Sequence, residues 1–243
     1  MSTPATPVRP RLRVVIHGAT GRMGEALVRL AATDDLLEIV AAVSASVDQR
    51  VVDGIPRFSA RELEGLPAFD VAIDFSRPDG FSQILALCVQ RAAALVSGTT
   101  GLDAAQKHAL QAAAAGIPVL WASNFSLGVA VLADLVERAA RALPDWDCDI
   151  VEAHHRNKLD APSGTALSLG EAAEQGGALP RYASLRAGDI VGEHTVQFTG
   201  VGERIELVHR AGSREIFARG ALHAASRLAG RGPGLYRIGD ILD

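Results

Sequence analysis

Short apolar runs alternate with helical patterns along the first half of the chain. Residues 12–16 (LRVVI) have the length and β-branched composition of a buried strand. Further runs of this kind occur at residues 37–43, 71–75, 93–96 and 117–121. Helical spacing of apolar residues is found at 25–32, 80–91 and 104–115. Strands that alternate with helices predict βαβ units and an α/β fold with a Rossmann-like, doubly wound parallel sheet.

The pattern changes after residue 124. Residues 127–143 have the apolar spacing of a long helix, which Pro144 ends. Beyond it, strands are predicted at 149–152, 190–198 and 204–209, and a helix at about 163–173. The last two strands are expected to be antiparallel, because a glycine-containing turn joins them. This half therefore predicts an α+β domain with a mixed sheet.

Three regions follow from these patterns. Residues 1–10 are rich in Pro, Ser and Thr and are expected to form a disordered arm rather than a signal peptide. Residues 11–125 form the first domain and residues 126–212 the second. The tail, residues 213–243, is helical to about 228 and ends in a short segment at 235–238. We expect this tail to return to the first domain.

Composition and charge narrow the function classes. Hydrophobic residues make up 48% of the chain and charged residues 21%, which allows a sizeable core, and the formal net charge is −4. This balance argues against a nucleic-acid or membrane partner. Cys88 and Cys148 lack metal-ligand spacing, and Cys88 lies in an apolar helical run. A cytoplasmic location is expected.

A glycine-rich turn follows the first predicted strand. Gly18, Gly21 and Gly24 form a G-x-x-G-x-x-G pattern where that strand passes into the first helix. Glycines there let the backbone approach a pyrophosphate, which the N-terminus of the helix then binds. The pattern differs from the commoner G-x-G-x-x-G, and a plain strand-to-helix turn is the alternative.

The end of the second predicted strand bears on cofactor choice. An acid that binds the ribose hydroxyls is usual there, but Ser44 occupies the position. Serine can hydrogen-bond a 2′-phosphate, and two arginines are expected close by: Arg22 in the glycine-rich turn and Arg50 slightly beyond the strand end. This favours NADPH, or use of both cofactors, over strict use of NADH. Alternatively, Asp48 takes the place of the acid.

The densest group of reactive side chains lies between residues 152 and 165. His154, His155, Arg156 and Lys158 fall within five positions, and Ser163-Gly164-Thr165 follows a proline and opens a helix. Histidine suits proton transfer near neutral pH, and free N–H groups at a helix N-terminus bind carboxylates. This predicts a site for a small polyanion.

Two other interpretations of this group remain. One is a solvated basic surface, and the other is a metal site, since adjacent histidines are common ligands. Arg156 and Lys158 would repel a cation, and no further ligands fall at suitable spacing, so no metal is expected.

At this point the chain resembles the dihydrodipicolinate reductase family. Residues 154–166 (HHRNKLDAPSGTA) closely resemble the family signature H-H-R-x-K-x-D-A-P-S-G-T-A. The other matching motifs are the 18–24 loop, D-F-S-R-P at 74–78, G-T-T-G at 98–101, A-S-N-F-S at 122–126 and A-G-D-I-V-G-E-H at 187–194. Several motifs in the same order are far more specific than any one of them.

The resemblance implies hydride transfer from NADPH or NADH to a cyclic dicarboxylate in lysine and diaminopimelate biosynthesis. It implies a cofactor domain (11–125 with 213–243) and a substrate-binding and tetramerisation domain (126–212) of a homotetramer. His154 resembles the general acid/base and Lys158 the proton donor. His155, Gly164 and Thr165 resemble substrate contacts. The implied cofactor contacts are Gly18, Ala19, Thr20, Gly21, Arg22, Met23, Gly98, Thr99, Thr100, Ala122, Ser123, Asn124 and Phe125. Ser44 is added from its position at the end of the second strand.

The chain differs from the family pattern at two places, and two other functions are alternatives to the one that the resemblance implies. Ser44 replaces an acid found in many relatives, and residues 174–184 form a shorter loop than many relatives have. One rival is another NAD(P)-dependent dehydrogenase, acting on an amino or imino acid. The other is a non-catalytic NAD(P)H sensor, which would not need both His154 and Lys158.

Overall fold

A computed structural model describes residues 10–242 of the chain. The expected arm at residues 1–10 lies outside the described residues except for Pro10. The chain divides into two compact units. Of the described residues, the first unit comprises 10–123 together with Ala218–Ile241, and the second contains Asn124–Phe217.

The helices and strands follow the alternation seen in the sequence. The strands are β1 (Leu12–His17), β2 (Leu37–Ser44), β3 (Val51–Val52), β4 (Ile55–Ser59), β5 (Val71–Asp74), β6 (Ala94–Ser97), β7 (Pro118–Trp121), β8 (Asp147–His154), β9 (Pro180–Arg186), β10 (Gly192–Thr199), β11 (Arg204–Ala211) and β12 (Gly234–Tyr236). The α-helices are α1 (Arg22–Ala31), α2 (Pro78–Arg91), α3 (Ala104–Ala113), α4 (Leu127–Ala142), α5 (Gly164–Gln175) and α6 (Glu215–Leu228).

The first unit is built on one sheet, in the order β12-β7-β6-β5-β1-β2-β4-β3. All neighbours are parallel except β3 and β4. The central strands are buried on both faces; Val15 and Ile16, for example, are fully buried. The order of strands reverses between β1 and β5. In open α/β sheets, ligands bind at the carboxyl ends of the strands beside such a reversal.

The second unit has a mixed sheet in the order β11-β10-β8-β9, in which only β8 and β9 are parallel. One face is the core, where Ile150 and Phe198 pack with Val136 of α4 and Leu169 of α5. Alternation along β8 and β10 produces this face, since every second residue is buried.

The predicted fold class is confirmed, but three strands, β3, β4 and β9, were not predicted. The hairpin β3–β4 escaped prediction because β3 has only two residues and β4 contains Pro56. Residues 174–184 are not simply a shortened loop, since β9 begins at Pro180. Edge strand β9 is largely exposed, so it lacks the apolar alternation that would identify a strand. Cys88 is fully buried, as predicted, and burial raises the pKa of its thiol.

Candidate active site

The turn between β1 and α1 requires glycine at two positions. Gly18 has a φ of +82°, and a Cβ atom there would lie 2.5 Å from the carbonyl oxygen of Phe75. At Gly24, a Cβ atom would lie 2.2 Å from the carbonyl oxygen of Gly18. Side chains are thus excluded at both positions, and α1 packs directly on the turn.

The N-terminus of α1 is open to an anion. Gly21 precedes its first turn and provides no side-chain cap, so within residues 10–242 the N–H groups of Arg22 and Met23 have no helical or capping acceptor. A cavity of about 590 Å³ lies beside the turn, lined by Gly18, Thr20 and Gly21 among others. These features fit the pyrophosphate of a dinucleotide.

A buried polar cluster joins the ends of three strands at the same edge of the sheet. The Asp74 carboxylate lies 2.9 Å from Nδ1 of His17 and accepts hydrogen bonds of 2.8 Å from the hydroxyls of Ser97 and Thr99. Burial favours the neutral acid, but the hydrogen bond from His17 and its neighbours outweighs it and lowers the pKa of Asp74. The cluster fixes the turn at residues 98–100.

Other expected cofactor residues lie along the same edge. Ser44, at the end of β2, is buried and lines the 590 Å³ cavity together with a second one of about 880 Å³, which Ala19 also lines. Ala122 and Ser123 directly follow β7. Arg50 instead forms two hydrogen bonds of 2.9 Å with Glu62. Its guanidinium is therefore already paired with a carboxylate.

In the second unit, His154 ends β8 and is held by two charged neighbours. Its Nδ1 atom lies 2.5 Å from Oε2 of Glu152. Arg186 of the adjacent strand donates to both carboxylate oxygens of Glu152, at 2.9 and 2.7 Å. Since a carboxylate only accepts, Nδ1 carries the proton and Nε2 of the neutral ring is left with a lone pair.

Burial and hydrogen bonding set the charges of this group. Burial alone would raise the pKa of Glu152, but the hydrogen bond from Arg186 leads the opposing contacts and lowers it to about 2. Burial lowers the pKa of His154, and Glu152 opposes this only in part. At neutral pH the pair is an ionised carboxylate beside a neutral imidazole, which can accept a proton at Nε2.

The lysine of the candidate site is also held in place. Lys158 Nζ donates to both oxygens of Asp160, at 2.8 and 2.9 Å. The hydrogen bond from Lys158 lowers the pKa of Asp160, which keeps the carboxylate ionised. His155 lies nearby in the chain, with Nε2 3.3 Å from a guanidinium nitrogen of Arg214.

The N-terminus of α5 is a second open anion site. Ser163 caps it by accepting from the N–H of Ala166 at 3.2 Å. The N–H groups of Gly164 and Thr165 have no acceptor among residues 10–242, because they precede the first helical hydrogen bond. Asn124 donates to the Thr165 hydroxyl at 2.9 Å. This geometry suits a carboxylate.

Two further residues border His154. The rings of His154 and His194 lie edge to face with centroids 5.2 Å apart, and His194 Nε2 is 3.1 Å from the Ser163 hydroxyl. Burial lowers the pKa of His194 to about 4. A Cβ atom at Gly192 would lie 3.0 Å from His154 Nε2, so glycine leaves that nitrogen uncrowded.

The structure thus gathers His154, Gly164 and Thr165 around residues that the sequence reading gave no role. Glu152 could have been identified from the sequence, because it lies two positions before His154 on a strand and such residues share a face. Arg186 and His194 come from other strands. Asn124 and Phe125, expected near the cofactor, belong to the second unit. Asn124 contacts the α5 terminus there.

Among residues 10–242, no three His, Cys, Asp or Glu side chains are grouped as metal ligands. No helix in that range is long and apolar enough to cross a membrane.

Comparison with known families covers nearly the whole chain. Residues 12–125 match the family described as dihydrodipicolinate reductase, N-terminus, and residues 128–242 match dihydrodipicolinate reductase, C-terminus.

Curated relatives agree with this match. The chain is 69% identical over 232 residues to a 4-hydroxy-tetrahydrodipicolinate reductase of Xanthomonas campestris, covering 95% of this chain and 98% of the relative. It is 70% identical over 233 residues to one of Stenotrophomonas maltophilia, with the same coverage.

Solved structures show the same fold. A dipicolinate-bound dihydrodipicolinate reductase from Paenisporosarcina superposes with a TM-score of 0.78 at 22% identity, covering 94% of this chain and 98% of that one. A diaminopimelate (DAP) dehydrogenase of C. glutamicum superposes with a TM-score of 0.63 at 15% identity, covering 96% of each chain.

Proposed function

Because the chain belongs to the dihydrodipicolinate reductase family, we propose how its residues carry out the reaction of that family. The enzyme is an oxidoreductase that reduces 4-hydroxy-tetrahydrodipicolinate to tetrahydrodipicolinate, in lysine biosynthesis. Its reductant is a nicotinamide cofactor.

The assignment of roles to these residues rests on one contact. The Glu152 carboxylate that holds His154 also accepts from the N–H of Ser163 at 3.2 Å, at the start of α5. A single buried charge therefore links a neutral imidazole to a helix terminus with free N–H groups. Proton transfer and carboxylate binding in one place suit a dicarboxylate that is reduced and protonated.

Each group has a distinct role. The reduced nicotinamide, when bound, supplies a hydride from its C4 to the conjugated ring of the substrate. Lys158 donates the proton to the neighbouring carbon, and Asp160 holds its ammonium group in place through two hydrogen bonds. His154 is the general acid/base, acting through Nε2. Gly164 and Thr165 bind one carboxylate through their N–H groups, and His155 contacts the substrate.

The first unit serves the cofactor. The turn from Gly18 to Met23 binds the pyrophosphate, as the excluded side chains and open N–H groups support. The turn at residues 98–100, with Ala122 and Ser123, lines the nicotinamide side. Asn124 acts by orienting Thr165, and Phe125, which is buried, supports that segment.

The assembly is proposed to be a cytoplasmic homotetramer formed through the second-unit sheet. The outer face of this sheet exposes apolar side chains on β8, β9 and β11. Val151 is 37% exposed, Leu185 57% and Val208 40%. Burying this face against another copy would remove these side chains from water.

Isotope transfer tests the reaction. The purified protein is incubated with NADPH or NADH deuterated at C4. The substrate is made in the same mixture from pyruvate and aspartate semialdehyde by dihydrodipicolinate synthase. Mass spectrometry should find one deuterium in tetrahydrodipicolinate with label on one face of C4. Unlabelled product with deuterium on either face of C4, or no product at all, would contradict direct hydride transfer by this enzyme.

A further inference from the structure

The 880 Å³ cavity lies beyond the carboxyl end of β2. Part of its wall comes from α1 and part from the segment that leads into β4. Ser44, Ser46 and Arg57 line it, and so do the carboxylates of Glu25, Asp48 and Asp53. Cofactors bound at a β1–α1 turn extend their adenosine toward the end of the second strand. The cavity is therefore placed to receive that ribose.

Arg57 is the notable side chain in this cavity. It lies on β4 opposite Ala42 of β2, and the next pair on the same face is Ser59 and Ser44. The Nε atom of Arg57 is buried and has no hydrogen-bond partner. Within residues 10–242 its guanidinium forms no ion pair, although three carboxylates line the same cavity.

A buried guanidinium donor without an acceptor is costly, and such groups are rare in folded proteins. Arginine presents a planar fork of donors that matches phosphate oxygens. An acid at the end of β2 would repel a phosphate at the ribose, and Ser44 removes that charge. The unpaired guanidinium of Arg57 and the absence of an acid at position 44 therefore both favour a phosphate group as the ligand.

We infer that Arg57 binds the 2′-phosphate of NADPH in the 880 Å³ cavity, and that Ser44 and Ser46 complete the subsite. This rests on the proposed function, because it assumes that the glycine turn binds the pyrophosphate. It assigns cofactor preference to a residue of β4, which is distant from the glycine turn in the sequence. Asp48, the alternative ribose ligand, lines the same cavity.

Binding of cofactor fragments tests the inference without any turnover. Calorimetry with the full chain would compare adenosine 2′,5′-bisphosphate with adenosine 5′-monophosphate. The wild type should bind the bisphosphate at least about tenfold more tightly. Arg57→Met should weaken the bisphosphate by roughly 10- to 100-fold, the usual effect of losing a charge-assisted hydrogen bond, and change the monophosphate by less than about twofold.

Arg50→Met is the matched control, because the Arg50 side chain is paired with Glu62. It should leave the ratio of the two affinities unchanged. Equal affinities in the wild type, or an unchanged ratio in Arg57→Met, would overturn the inference. If Arg57→Met fails to fold, the ratio of the two affinities is compared between the wild type and Arg57→Gln instead.

The outcome is separable from the proposed function. Equal turnover with NADH and NADPH would overturn the inference and leave the reductase assignment intact. Conversely, selective binding of the bisphosphate without reduction of the substrate would uphold the inference and count against that assignment.

Discussion

Glu152 Oε2 lies 2.5 Å from Nδ1 of His154, and both side chains are buried. This contact fixes the tautomer of the imidazole and directs its lone pair to Nε2. Arg186 in turn holds the carboxylate, so the charge of Glu152 is balanced inside the protein. Positioning of the proton-transfer group thus depends on three strands, β8, β9 and, through Gly192, β10.

Replacing Glu152 by Gln should lower kcat about 100-fold while fragment binding at the cofactor turn persists. The carboxylate normally raises the pKa of His154 against the effect of burial. Without that charge, the acid limb of the kcat/KM profile should move to lower pH. Asp149→Asn, on the same strand and paired with Arg181, is the control. A loss of rate with an unmoved acid limb would indicate a purely structural role.

A methyl group at Gly192 should slow the reaction about tenfold, because it would crowd His154 Nε2. Steady-state kinetics of Gly192→Ala would show the loss in kcat. Gly212→Ala is matched, since a Cβ atom there meets nothing within 4 Å. Equal rates for the two variants would argue against proton transfer through Nε2.

Gly24→Ala should destabilise the first unit by about 1–3 kcal/mol and weaken NADPH binding, because the methyl group overlaps the Gly18 carbonyl oxygen. Thermal melting with and without cofactor measures both effects. Gly65→Ala, where a Cβ atom has open space, should change neither. Normal NADPH affinity in Gly24→Ala would count against binding of the pyrophosphate by the glycine turn.

The buried His194 should make stability depend on pH. Its pKa is about 4 in the folded protein and about 6.5 when unfolded. Between these values the unfolded chain binds more protons, so stability falls as pH falls from 6.5 to 4, by up to about 3 kcal/mol. Urea unfolding at pH 7.5 and 4.5 should show a smaller loss for His194→Gln. An equal loss would mean that other groups control the acid sensitivity.

The fold class predicted from the sequence is confirmed, and the sequence also proposes the candidate site residues, but it does not predict the contacts that hold them. Gly18 and Gly24 could be proposed from the sequence because their spacing reflects a backbone requirement. His154 and Lys158 could be proposed because they are close together in the chain. Asp74 and His17 are 57 positions apart and Arg186 is 34 positions from Glu152. Which side chains meet across strands depends on register, and no local pattern records it. Arg57 was missed for the same reason, since β4 itself was not predicted.

The most direct test of the account is NAD(P)H oxidation at 340 nm, with substrate supplied by the preceding synthase, for the wild type and for His154→Ala and Lys158→Ala. The account predicts rapid oxidation by the wild type and a loss of about 10²- to 10⁴-fold in each variant, with cofactor binding preserved. No oxidation by a wild type that binds NAD(P)H, or near-normal turnover in both variants, would contradict it.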